Sequence, residues 1–294
     1  GGRAGSLLAC IDRTLTAGGG RLLERRVSAP STQINVINAR LDAITWANNN
    51  SNLTQTLRDA LRKTPDMDRA LSRLSLDRAG PRDLAAVRDG LHQSLRIFEA
   101  LSAKEMPDLI MESVAALSGH SALLNMLDDA LVAEPPLLVR DGGMVAPDYN
   151  AELDEARSLR DEGRGVIAAM QADFVSNTGI SSLKIKHNNV LGYFIEVTAT
   201  HADKMHAFDT FIHRQTTANQ VRFTTVELSE LETKILNAGS RALELEKRIY
   251  ETLRQSILAA SDGVYQAARA LSELDVTTAL ADLATDKNWT RTEI

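Results

Sequence analysis

The sequence predicts a mainly α protein: a helical core with two long antiparallel lever helices and a small inserted β-rich module at their tip. Three observations carry that prediction. Aromatics make up 4% of the 294 residues, while Leu, Ala, Arg, Glu and Asp are abundant, a composition that favours long helices over sheets. Seven prolines leave room for uninterrupted helical runs. The apolar pattern also changes once, from helical steps to alternation, between two long helical stripes.

The first periodic stretch, 6–29, carries Leu7, Leu8, Ile11, Leu15, Leu22, Leu23 and Val27 and ends before Pro30. Gly18-Gly19-Gly20 interrupts it at a cost of about 1 kcal/mol per glycine relative to Ala, which predicts a break or kink there. Helices are then expected around 31–48, 52–63, 66–77, 81–103, 106–118 and 120–133. They are punctuated by Asn48-Asn49-Asn50, Thr64-Pro65-Asp66, Gly80-Pro81, Met106-Pro107 and Gly119. Glu134-Pro135-Pro136 with Asp141-Gly142-Gly143 is the clearest loop and closes a helical core over 1–149.

Residues 150–178 contain no proline and repeat Leu153, Ala156, Leu159, Gly163, Val166, Met170 and Phe174 at three- and four-residue steps. That spacing predicts one helix about 43 Å long. A second stripe runs through Leu228, Leu231, Ile235, Ala238, Ala242, Leu245, Ile249, Leu253 and Ile257. Both have the spacing of a helix pair, although two surface helices of an ordinary bundle would share it. Between them, 182–186 and 193–198 alternate around Asn188-Asn189 and Gly192, and 211–216 and 221–225 are two more short β-like runs. The order gives an outgoing helix over 150–180, a β-rich module over 181–226, and a returning helix with a closing core helix over 227–294.

Charge divides along the same boundaries. The whole chain carries −6, which by itself argues against a nucleic-acid partner. The window 181–226 holds five basic residues (Lys184, Lys186, Lys204, Arg214, Arg222) against three acidic ones, so it is +2 and the remainder is −8. Four of the six histidines and five of the twelve aromatics fall there too. A phosphate-contacting tip on an acidic stalk has this asymmetry. A small sheet with an aromatic core and a solvated lysine face has it as well, and composition does not choose between them.

Other classes are disfavoured. The single cysteine, Cys10, excludes a disulfide framework or a cysteine-based zinc site and is expected on an apolar helical face. No run of 18 apolar residues is present, and the N-terminus lacks the pattern of a signal peptide. Phosphate-loop, dinucleotide-fold, metalloprotease and serine-hydrolase motifs are absent. His201, His206 and His213 have neither thiol neighbours nor ligand spacing for a metal. No acid–base or nucleophilic constellation is found, so the chain is not expected to be an enzyme by itself.

Particular runs then point to a family. Ser6-Leu7-Leu8, Ile11-Asp12-Arg13-Thr14, Gly20-Arg21-Leu22-Leu23, Arg40-Leu41-Asp42-Ala43-Ile44, 65–73 and Gly80-Pro81-Arg82-Asp83-Leu84 resemble the start of the core lever domain of the MutS family of DNA mismatch repair proteins. Gly179-Ile180, Leu183-Lys184-Ile185 and 192–198 resemble its clamp hairpin. His213-Arg214-Gln215-Thr216 through Asn219, then Arg222-Phe223, is similar to its RRQTxxN…R[YF] run, and Leu271-Ser272-Glu273-Leu274-Asp275-Val276 to its closing helix. The likeness is colinear over nearly the whole chain.

This resemblance implies a clamp, inserted between two levers, that closes over duplex DNA and contacts its backbone. Lys184, Lys186, His187, Arg214, Asn219 and Arg222 are the expected DNA-binding residues. A mismatch-reading domain would precede Gly1, and an ATPase domain, holding ATP and Mg, would follow Ile294; no cofactor or metal is expected in this chain. The glycine-rich start and the end at 289–294 fit a piece of such a protein. The parent is expected to be a bacterial cytoplasmic, nucleoid-associated homodimer, away from membranes, partnered by its own other domains and a MutL-like protein. Two positions depart from the family run: Ala218 stands where a lysine is usual, and His213 replaces the first arginine. A clamp with one phosphate donor fewer has a salt slope smaller by about 0.9, and a protonated His213 would make its interaction mildly pH-sensitive. The rival readings are a helical arm whose β tip binds another protein, and an enzyme using a histidine-bound metal.

Overall fold

The computed structural model describes residues 5–294; residues 1–4, part of the glycine-rich start, lie outside the described residues. The chain divides into two compact units, Gly1–Ala146 with Ile249–Ile294, and Pro147–Arg248. It is mainly helical with one small antiparallel sheet.

The first unit holds α1 (Leu7–Ile11), α2 (Ala17–Ser28), α3 (Ile34–Asn49), α4 (Ser51–Leu61), α5 (Met67–Ser75), α6 (Pro81–Leu101), α7 (Asp108–Ala116) and α8 (Ser121–Ala130). Its centre is a late helix, 261–287, which packs against α2 through α7. Residues 274–279 of that helix are all buried, so it is enclosed on every side over more than a full turn. A helix buried all round belongs in the core of a bundle.

The break expected at the glycine run falls instead at 12–16. Asp12 Oδ1 accepts from Thr14 N–H at 3.1 Å and from the Thr14 hydroxyl at 2.6 Å, and Thr16 caps α2 by accepting from Gly19 N–H. Gly18 and Gly19 sit inside the first turn of α2, where an added Cβ would overlap the Ser272 hydroxyl and the Asp275 carboxylate respectively. Close approach of two helices, which periodicity cannot register, is why these glycines are tolerated. Cys10 is exposed and not on a packed face, a second correction.

The second unit begins with α9 (Ala151–Thr178), capped by Asn150 and ended by Gly179 at φ +63°. It continues through β1 (Lys184–Asn188), β2 (Gly192–Thr198), α10 (Ala202–His206), β3 (Ile212–Thr216), β4 (Gln220–Thr224) and α11 (Val226–Ala259), whose residues from Ile249 belong to the first unit. The late core helix is α12 (Ser261–Lys287). Within the second unit α9 and α11 pack closely: Gly163 lies so near Ile235 that a Cβ would overlap its side chain, and Arg157 Nη2 donates to the buried Glu246 carboxylate at 2.8 Å. The inward face of α9 is Leu153, Ala156, Gly163 and Ile167, whereas Leu159 and Val166 are half exposed. A straight helix advances 3.6 residues per turn, so a strict seven-residue reading drifts off its buried face.

Candidate nucleic-acid interface

The sheet order is β1-β2-β4-β3, all antiparallel. Alternation assigns its two faces. Ile195 lies opposite Ile185 and Phe223, and Val197 opposite Val221. These side chains form a core with Ile180, Leu183 and Met205, and with Ile167, Leu228 and Ile235 from the helices. Met205 comes from α10, a short helix between β2 and β3 that alternation and periodicity both missed.

On the other face, Lys184 lies opposite Glu196, Lys186 opposite Phe194, and Glu196 opposite Arg222. Two of these cations, Lys186 and Arg222, contact one buried carboxylate, and Lys184 lies on the same face. Lys186 Nζ donates to Glu196 Oε1 at 2.5 Å and Arg222 Nε to Oε2 at 3.1 Å. Arg222 Nη1 donates to Gln215 Oε1 at 2.7 Å, and its guanidinium lies over the Phe194 ring, 4.6 Å from the centroid. The Glu196 side chain is 5% exposed, that of Arg222 22% and that of Lys186 48%. Burial pushes the Glu196 carboxyl up, and the hydrogen bonds from Lys186 and Arg222 outweigh it and hold the group below its usual range. Glu196 is therefore ionised at neutral pH, and these four side chains together carry a net +2.

Of the six expected DNA-binding residues, the sheet brings Lys184, Lys186 and Arg222 onto one face. His187 falls on the opposite one, its ring edge-on to Tyr193 at 4.8 Å between centroids. Arg214 is the extra residue of a bulge in the exposed edge strand β3, because His213 pairs with Phe223 and Gln215 already with Arg222. Asn219 lies in the β3–β4 turn, where its carbonyl accepts from Ala199 N–H at 3.1 Å. His213 Nε2 is 2.9 Å from the Thr216 hydroxyl, a local hydrogen bond. Glu196, Phe194 and Gln215 were not singled out from sequence; an acid between two apolar residues of a strand, Ile195 and Val197, is the signal that marks Glu196.

The β1–β2 turn that presents the two lysines is tightly held. Asn188 Oδ1 accepts from Val190 N–H at 2.9 Å and Leu191 N–H at 2.8 Å, and Gly192 adopts φ +69° where a Cβ would overlap the Glu232 carboxylate of α11. Among the described residues no group of three or more His, Cys, Asp and Glu is placed to hold a metal ion, and no helix is long and apolar enough to cross a membrane.

Comparison with known proteins gives this arrangement a family. A family model described as MutS domain III matches residues 1–281. The DNA mismatch repair protein MutS of Roseobacter denitrificans is 64% identical over the whole chain, and that of Ruegeria sp. strain TM1040 is 60% identical over the same span. The MutS protein of Dinoroseobacter shibae is 61% identical over 98% of the chain. The chain spans about a third of the length of these relatives. By the family match and by these identities, the chain belongs to the MutS family, as its domain III.

Proposed function

We propose that this chain is the lever and clamp region of a mismatch repair protein, and that its sheet grips the backbone of duplex DNA. The observation that carries the reading is the gathering of Lys184, Lys186 and Arg222 on one face of β1, β2 and β4, away from the core. Ammonium and guanidinium groups bind phosphate oxygens by charge-assisted hydrogen bonds that carry no base information, so the grip is independent of sequence. Arg214 in the exposed bulge, Asn219 in the adjoining turn and His187 on the other face of the β1–β2 hairpin are proposed as additional backbone contacts outside this cluster.

The division proposed is an outgoing lever over 150–180, a clamp over 181–226, and a returning lever and closing helix over 227–294. The two helices act as stiff rods, because the Gly163–Ile235 contact and the Arg157–Glu246 pair tie them along their length. Rigid-body motion of such a pair transmits nucleotide state from an ATPase domain to the clamp. ATP and Mg supply that drive in the whole protein, which works as a homodimer with a MutL-like partner on nucleoid DNA in the bacterial cytoplasm. The chain itself contributes the grip and the linkage. The test is binding of the chain to matched and mismatched duplexes of equal length. Weak binding of both with equal affinity is expected; a mismatch preference like that of an intact repair protein would overturn the division of roles.

A further inference from the structure

The buried carboxylate under the cationic face has no part in a simple phosphate grip, and its charge opposes DNA. We propose that Glu196 is a positioning residue for that grip: it holds Lys186 and Arg222 side by side with their remaining donors directed to a phosphate. The proposal rests on the reading of this face as the DNA-contacting surface.

Three features of the site carry it. Glu196 meets the two cations with separate oxygens, Oε1 to Lys186 and Oε2 to Arg222, so one carboxylate sets the spacing of both. The named bonds use one of three ammonium donors and two of five guanidinium donors, leaving capacity on each cation for a phosphate oxygen. The carboxylate is almost fully buried while Lys186 remains half exposed, so the anion lies beneath the cations and the cations lie between it and solvent. Phe194 and Gln215 hold Arg222 from its other sides. An approaching phosphate thus meets donors whose rotamers are already ordered, which lowers the entropic cost of each interaction.

The alternative is that Glu196 merely neutralises part of the face. The two ideas predict opposite signs for Glu196→Gln, an isosteric change that removes the negative charge. Binding of the chain to a duplex, followed by fluorescence anisotropy over a salt series, reads the difference, with thermal unfolding as the control for folding. Positioning predicts about tenfold weaker binding and a salt slope smaller by the share of one phosphate, near 0.9. Glu196→Asp, which keeps the charge but draws the carboxylate back, should weaken binding as well, and serves if Glu196→Gln fails to fold. In a chain already carrying Lys186→Met and Arg222→Met, Glu196→Gln should cause no further weakening. Tighter or unchanged binding by Glu196→Gln or Glu196→Asp, or equal weakening in both backgrounds, overturns the positioning role alone, provided Lys186→Met with Arg222→Met weakens binding. If that double substitution leaves binding unchanged, the reading of the face falls and the proposal with it.

Discussion

Replacing Asp275 by Ala tests how the first unit is held together. Asp275 is completely buried on α12 and accepts from Leu15 N–H at 2.9 Å, Thr16 N–H at 2.7 Å and the Thr16 hydroxyl at 2.6 Å. It thereby fixes the 12–16 segment between α1 and α2 onto the central helix. Each hydrogen bond to a charged group contributes about 1.5–3 kcal/mol, so removing the acceptor of all three costs about 5–9 kcal/mol gross. Against this stands the desolvation of the carboxylate. Burial pushes the Asp275 carboxyl up, and the bonds from Thr16 and Leu15 only partly pull it back, so removing the charge returns several kcal/mol. The expected net loss is about 2–4 kcal/mol, or about 1–2 M in urea midpoint. Both tryptophans, Trp46 and Trp289, belong to this unit, so their fluorescence follows its unfolding. Asp275→Asn keeps one acceptor oxygen and should recover about half of the loss. An Asp275→Ala midpoint indistinguishable from the unsubstituted chain would refute the assignment of this carboxylate as the tie between the N-terminal segment and α12.

Two further outcomes follow from single sites. Gly192→Ala meets both a left-handed backbone and the Glu232 carboxylate, so it should destabilise the second unit by about 2 kcal/mol. Adding Glu232→Ala removes the overlap but not the backbone strain and should restore part of the melting temperature. Asp66 accepts from Arg21 Nη1 at 2.7 Å and Nη2 at 2.8 Å, which holds its carboxyl below the usual range against the opposing effect of burial. Its folded value lies below the unfolded one, so the stabilisation is complete above about pH 4 and is lost as pH falls through the folded value. Asp66 also caps α5 by accepting from Arg69 N–H, a bond that Asp66→Asn can keep, yet that change should cost about 1 kcal/mol at pH 7 after solvent screening and flatten the acid limb of melting temperature against pH. An unchanged acid limb would remove Asp66 from the groups that control acid unfolding.

The parts of this fold that depend on local pattern were legible in the sequence. The alternation of Lys184-Ile185-Lys186 and the aromatic, β-branched run 193–198 marked strands because side chains on a pleat must take turns between core and solvent. The returning stripe from Leu228 to Ile257 is buried nearly as spaced, since helical periodicity brings residues three and four apart onto one face. What depended on distant partners was not legible. Gly18 and Gly19 looked like breakers, and only the approach of Ser272 and Asp275 explains them as helix residues. The placement of Glu196 between Lys184 and Arg222 is a matter of strand register, which pairs residues 12 and 26 positions away. His187 was grouped with its lysine neighbour, but one step along a strand reverses the face. Likewise the bulge that makes Arg214 the unpaired residue of β3 shows only when both strands are paired.

Whole-chain charge was the least informative statistic. The −6 total hides a face on which three cations outnumber one ionised carboxylate, and local sign decides what phosphate meets. The proposed grip on DNA therefore acts through counterion release. Its most direct measurement is the affinity of the chain for a duplex as a function of salt, with and without Lys184→Met and Arg214→Met. Phosphate binding by Lys184, Lys186, Arg214 and Arg222 predicts a slope of log affinity against log salt near −3.6, falling in magnitude by about 1.8 in the double variant. Affinity that does not change with salt, or a slope that the two substitutions leave untouched, would contradict it.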